Sequence, residues 1–136
     1  MIHSNNILTP SLLELADTLN LPSFSDPPPF TQHTRIKDIN LHSINWGNPD
    51  NPTILALHGL GQSAHSWDLM GLSLAKDYHF ISLDQRGHGD SDWSKDKDYS
   101  SKAYLNDLKT YIETNDLKSI ILMGLSMGGK NAYSYA

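Results

Sequence analysis

The sequence predicts an α/β architecture, a mostly parallel sheet flanked by helices. Three observations carry that prediction. First, three short apolar runs, Thr53 to Leu57, His79 to Leu83 and Ser119 to Met123, are nearly continuous, as strands buried on both faces of a parallel sheet are. Second, stretches with helical periodicity separate them, and alternating strands and helices imply this class. Third, each run leads into a segment of unusual composition at its carboxyl end, where such sheets bind ligands.

The elements follow in order along the chain. Met1 to Asn6 lacks a basic region followed by an apolar run, so a secretory signal is not expected. Thr9-Pro10 reads as a helix start, with Thr9 as cap and Pro10 in the first turn. Leu12, Leu15 and Leu19 then share one helical face. That face is expected to pack on the main domain, with an oligomer contact as the alternative. Pro22 to Pro29 reads as a stiff linker in which Pro27-Pro28-Pro29 favours polyproline II. The division is therefore an extension and linker over 1–29 and a domain over 30–136. Thr34 to Trp46 suggests two strands, with Ile36, Ile39, Leu41 and Ile44 as apolar positions, and Asn45 to Pro52 is a turn. Trp67, Met70 and Leu74 mark one helix. Tyr104, Leu108 and Tyr111, with Leu105 and Ile112, mark another. There is no internal repeat.

Composition narrows the function. Fifteen acidic against ten basic residues give a net charge of −5, and the lysines and arginines are scattered. Nucleic acid, which needs a clustered basic face, is not an expected partner. The absence of cysteine excludes disulfides, Cys-zinc sites and thiol catalysis. No apolar stretch is long enough to span a membrane, so no membrane partner is expected and a cytoplasmic setting is the default. The sequence calls for no cofactor and no metal, and the oligomeric state stays open.

The three strand ends read His58-Gly59-Leu60-Gly61, Asp84-Gln85-Arg86-Gly87-His88-Gly89 and Gly124-Leu125-Ser126-Met127-Gly128-Gly129. The last fits G-x-S-x-G between a strand and a helix, the nucleophile elbow. The turn is so tight that its serine takes strained dihedrals. Side chains two residues either side would collide, so Gly124 and Gly128 have none, and Gly129 is expected to keep the first helical turn close to the sheet. The free amides and dipole of the following helix face any negative charge formed at Ser126. The bland alternative is an ordinary turn with a helix-capping serine. Acyl transfer also needs oxyanion donors. The Met127 amide, directly after the nucleophile, is one candidate. The Leu60 amide is the other, because Gly59 and Gly61 let the backbone approach a substrate. His58 is expected to hydrogen-bond its own loop rather than act in catalysis.

Together these three motifs, in this order and spacing, resemble the α/β-hydrolase superfamily, and within it the esterase and cofactor-free haloperoxidase-like branch. The resemblance runs from about Thr34 to Ala136. It implies an antiparallel strand near the start of the sheet and hydrolysis of a carboxylic ester or related small-molecule acyl substrate through an acyl-enzyme on Ser126. It implies that Asp84 and Arg86 stabilise their loop. The serine separates this chain from the epoxide hydrolases and haloalkane dehalogenases, which place aspartate there. In the family the triad acid and histidine follow the nucleophile. Only ten residues follow Ser126, and none is Asp, Glu or His. The expectation is therefore an N-terminal part of a longer hydrolase, inactive alone, with the triad acid and histidine not in this chain.

Two other readings compete. Gly59-Leu60-Gly61-Gln62-Ser63-Ala64 matches the dinucleotide fingerprint, with Asp84 about 20 residues on as the ribose-binding acid. His58 before the first glycine, the polar Ser63 and His65, and the serine elbow speak against it. The second is a non-catalytic receptor or scaffold of the same fold. Fold alone does not choose among esters, thioesters, lactones and carbon–carbon bonds.

Overall fold

A computed structural model describes residues 7–22 and 25–136, so the expectation for Met1 to Asn6 and the 23–24 part of the expected linker lie outside the described residues. The first helix, α1 (Pro10–Thr18), starts as its sequence dictates. The Thr9 hydroxyl accepts from the Leu12 amide at 3.2 Å, and Pro10 sits where an amide would lack a partner anyway. The packed face differs from the expected one. Ala16 is fully buried and Leu12 partly so, while Leu15 and Leu19 stay exposed. Positions 12 and 16 lie one above the other on the helix. The small Ala16 lets α1 come close to a cluster holding Ile7, Trp46, Leu72 and Phe80. The reading by large apolar residues placed the stripe one position too far round.

Among the described residues the sheet has five strands: β1 (Phe30–Ile36), β2 (Ile39–Trp46), β3 (Thr53–Leu57), β4 (His79–Leu83) and β5 (Ile121–Gly124). Their spatial order is β1-β2-β4-β3-β5. β1 and β2 form an antiparallel hairpin that turns at Lys37-Asp38, with Lys37 at φ 52. β2 also runs antiparallel to β4, whereas β4, β3 and β5 are mutually parallel. The first strand begins at Phe30, four residues ahead of the expected Thr34.

Helices cover both faces. On one, α3 (Ser101–Thr114) and α4 (Met127–Tyr135) pack through Leu108, Tyr111, Ile112 and Ala132 onto Leu55, Leu57, Ile81 and Leu83. On the other, α1 and α2 (Asp68–Leu74) pack onto Ile54, Ala56 and Phe80. Alternate residues of β3 and β4 thus meet opposite helical layers, which is why both strands read as unbroken apolar runs. β5 breaks the pattern. Among the described residues it pairs with β3 alone, at the sheet edge, and Ile121 is half exposed, whereas β3 and β4 are buried on both faces. The expected stripe of the second helix is also redrawn. Trp67 ends a 3₁₀ turn (Ala64–Trp67), Met70 is exposed, and Leu72 is the buried anchor. Among the described residues, no helix is long and apolar enough to cross a membrane.

Candidate active site

The site residues gather at the carboxyl ends of β3, β4 and β5. β5 stops at Gly124 and α4 starts at Met127, leaving Leu125 and Ser126 to make the turn. Ser126 has φ 50 and ψ −112. For a residue with a side chain, such a backbone costs about 1–3 kcal/mol and persists only where its surroundings impose it. The side chain does not cap α4, so the bland reading of a capping serine fails. Ser126 is exposed, and its hydroxyl has no hydrogen-bond partner among the described residues.

What imposes the turn is the lack of room around it. A methyl at Gly124 would lie 2.5 Å from the Gly128 carbonyl carbon and 2.6 Å from the Gly129 nitrogen. A methyl at Gly128 would run into the Leu57 and His58 carbonyls at the end of β3. At Gly129 the nearest atom would be 3.2 Å away. Gly128, and not Gly129 as expected, is therefore where α4 approaches the sheet.

β3 is hydrogen-bonded to β5, with Leu57 opposite Gly124, so the His58–Gly61 loop lies beside the elbow. A methyl on Gly59 would sit 3.5 Å from Ser126 Cβ. The loop is a tight turn in which the Gln62 amide donates to the Gly59 carbonyl at 3.1 Å and Gly61 has φ 73. The Leu60 and Met127 amides donate to no protein group among the described residues. Both expected oxyanion donors are thus free, on adjacent strand ends.

The histidines nearest the elbow are committed elsewhere. His58 is fully buried. Its Nδ1–H donates to the Gly59 carbonyl at 2.8 Å and its Nε2 accepts from the Gln85 amide at 3.0 Å, which requires a neutral ring. Burial pushes its pKa below the ordinary imidazole value, against the opposing pull of the Gly59 carbonyl. His88 is held in the same way: Nδ1–H donates to the Arg86 carbonyl at 3.0 Å, and Nε2 accepts from the Gly61 amide at 3.3 Å. His58 therefore supports its loop, as expected.

The second motif is a structural latch. Asp84 is buried and accepts from the amides of Ala64 (2.6 Å) and Asp90 (3.0 Å) and from His42 Nδ1 (2.8 Å). Burial alone would raise its pKa, but these hydrogen bonds outweigh burial and hold the carboxyl below the ordinary range. Both oxygens are in use, so the acid that a dinucleotide reading needs for a ribose is not free. The segment after Gly61 also enters a 3₁₀ turn rather than the long helix that fingerprint requires. His42, Asp84 and Asp90 offer donor atoms within 4.8 Å of one another, yet the same hydrogen bonds occupy His42 and Asp84. Arg86 grips Asp107 through Nε (2.6 Å) and Nη2 (2.7 Å) and donates Nη1–H to the Asp98 carbonyl, as a loop-stabilising residue would.

Three residues escaped the sequence reading. Gln85 and Asn131 are buried and hydrogen-bonded to each other at 2.7 Å between the β4 end and α4. The only hint was a pair of amides at positions that should be apolar. His65 lies with Nδ1 2.7 Å from Asp68 Oδ2, and that hydrogen bond raises its pKa. It belongs to the 3₁₀ turn packed on β2, β3 and β4, across β3 from the elbow.

Comparison with known proteins agrees with this fold. A family model described as alpha/beta hydrolase fold covers residues 52–136. An esterase of Mycobacterium tuberculosis is 29% identical over 108 residues, 79% of this chain and 35% of its own length. Epoxide hydrolase 1 of Caenorhabditis elegans is 29% identical over 107 residues, 78% of this chain and 26% of its own length. Among solved structures, a candidate lipase from Acinetobacter baumannii superposes with a TM-score of 0.75 at 28% identity, covering 95% of this chain and 41% of that one. The chain thus spans between 26% and 41% of the length of these relatives.

Proposed function

The chain belongs to the α/β-hydrolase fold family, and on that premise we propose that it carries the nucleophile and oxyanion donors of a serine hydrolase acting on a carboxylic ester or related acyl substrate. The observation that carries this reading is Ser126 itself. It is held at φ 50 on the turn before α4, exposed and with no side-chain cap on that helix, beside two amides that have no partner among the described residues. In the proposed reaction the Ser126 hydroxyl adds to the acyl carbonyl. The Leu60 and Met127 amides donate to the resulting oxyanion while a general base takes the serine proton. Collapse breaks the ester C–O bond, the alcohol leaves with that proton, and water then hydrolyses the acyl-enzyme to release the acid and free Ser126.

A serine hydroxyl is barely ionised near neutral pH and needs a base. His58 and His88 have both ring nitrogens engaged. The base and its orienting acid are therefore assigned to sequence beyond Ala136, in the family's chain order. Serine also chooses among the chemistries of the relatives. Attack on an epoxide by a serine would leave an ether that water does not cleave, whereas attack on an acyl group leaves an ester that it does.

Labelling of the full-length protein with an alkyl fluorophosphonate tests the assignment. The label should attach to Ser126, and Ser126→Ala should abolish both labelling and ester turnover while the protein stays folded. Labelling of the variant at the wild-type level would refute Ser126 as nucleophile, and a folded wild type that takes no label would favour the non-catalytic scaffold.

A further inference from the structure

Between the elbow helix and the Leu60 loop runs a continuous chain of buried hydrogen bonds. Asn131 lies four residues, about one turn, after Met127 on α4 and is 5% exposed. Its Nδ2–H donates to Gln85 Oε1 at 2.7 Å. Gln85, also 5% exposed, donates its Nε2–H to the His58 carbonyl at 2.8 Å and its backbone amide to His58 Nε2 at 3.0 Å. His58 Nδ1–H then donates to the Gly59 carbonyl at 2.8 Å.

The last link matters because the Gly59 carbonyl and the Leu60 amide belong to one planar peptide. Whatever fixes the carbonyl fixes the N–H on the opposite side of that plane. The His58 ring and the Gln62 amide both hold this oxygen. Gln85 in turn holds the His58 ring through its backbone amide and the His58 carbonyl through its side chain, so its side chain fixes the strand end that carries the ring's donor. At the other end, Asn131 moves rigidly with Met127, whose amide is the second donor.

We propose that Gln85, with Asn131, is a positioning residue that sets the Leu60 and Met127 amides at a common distance from the reacting carbonyl. This rests on the oxyanion assignment made above. An uncharged amide suits the task. It offers a donor and an acceptor on one rigid plane, so it can face a carbonyl on one side and a donor on the other. A carboxylate would put its lone pairs against the His58 carbonyl. An apolar side chain would leave Asn131 and that carbonyl buried without partners.

The test is the rate of fluorophosphonate labelling of Ser126 in the full-length protein, resolved into a binding constant KI and a chemical rate kinact. Gln85→Met and Gln85→Glu should lower kinact by about 10- to 100-fold, less than the ~10²–10³ of losing a donor outright. KI should stay within about threefold, because loosened donors weaken the transition state more than the ground state. Asn131→Ala should do the same to a smaller degree, and the Gln85→Met/Asn131→Ala double variant should be no slower than Gln85→Met alone. If Gln85→Met fails to fold, Asn131→Ala, which removes a single bond, tests the proposal through its smaller fall in kinact at unchanged KI. A labelled wild type with folded variants of unchanged kinact would overturn the positioning role alone. Rates that fall only in proportion to the folded fraction would overturn it equally. A wild type that takes no label at Ser126 would overturn the hydrolase reading, and this inference with it.

Discussion

At Ser126 the chain holds a conformation that costs free energy locally, so the surrounding atoms must enforce it. The two glycines that make room do so in different ways. Gly124 faces the first turn of α4, while Gly128 faces the backbone at the end of β3. Because backbone cannot step aside as a side chain can, Gly128→Ala should destabilise the protein by about 3 kcal/mol. Gly129→Ala meets nothing closer than 3.2 Å and replaces a glycine inside a helix, so it should cost less than about 1 kcal/mol. Denaturant midpoints of the two variants check the contrast. Equal losses would mean that Gly128 is not the contact that seats α4.

Among the elements, α3 is tied to the second motif by a fork. Arg86 offers two N–H groups to both oxygens of Asp107, and the pair is almost out of solvent, at 13% and 9% exposure. The neighbouring carboxylate holds Arg86 above its ordinary pKa. Removing one partner strands the other in a poorly hydrated place. Asp107→Asn and Arg86→Met should each lower stability by about 3 kcal/mol. The double variant should lose clearly less than the sum, because each single change already breaks the pair. Chemical denaturation of the three proteins measures this, and strict additivity would show that the fork contributes no coupling.

Over the whole molecule, buried imidazoles set the response to pH. Burial pushes the pKa of His58 and of His79 down in the folded protein. A depressed imidazole favours folding fully above its unfolded value of about 6.5. As pH falls below that value the unfolded chain takes up protons that the folded one does not, and stability declines down to the folded pKa. Asp84, whose folded pKa is also lowered, adds a second decline below about 4. His65 and Asp68 act in the opposite sense because their folded values are raised, but His65 is half exposed and solvent screens it. Unfolding free energies between pH 8 and pH 4 should therefore begin to drop near pH 6.5, where the unfolded imidazoles start to take up protons. A flat profile down to pH 5 would rule out buried neutral imidazoles.

The strand–helix alternation, both parallel core strands and the strand–Ser–helix elbow were legible in the sequence. They depend on local spacing: apolar runs of strand length, glycines two residues either side of a serine, a proline and a threonine at a helix start. The reading failed where partners are distant in the chain. Which face of α1 packs depends on how closely Ala16 lets the helix approach α2 and the cluster beneath it, and which glycine seats α4 depends on the carbonyls at the end of β3. The apolar content of Ser119 to Met123 marks a strand, but its half-exposed Ile121 follows from its place at the sheet edge among the described residues, beside β3 alone. Gln85 and Asn131 gave almost no signal, since a buried amide is explained only by the donor or acceptor facing it. Local sequence thus determined which residues form the turn and the loop. Only tertiary structure decided that 46 residues apart, at Gln85 and Asn131, two amides would bind those parts together.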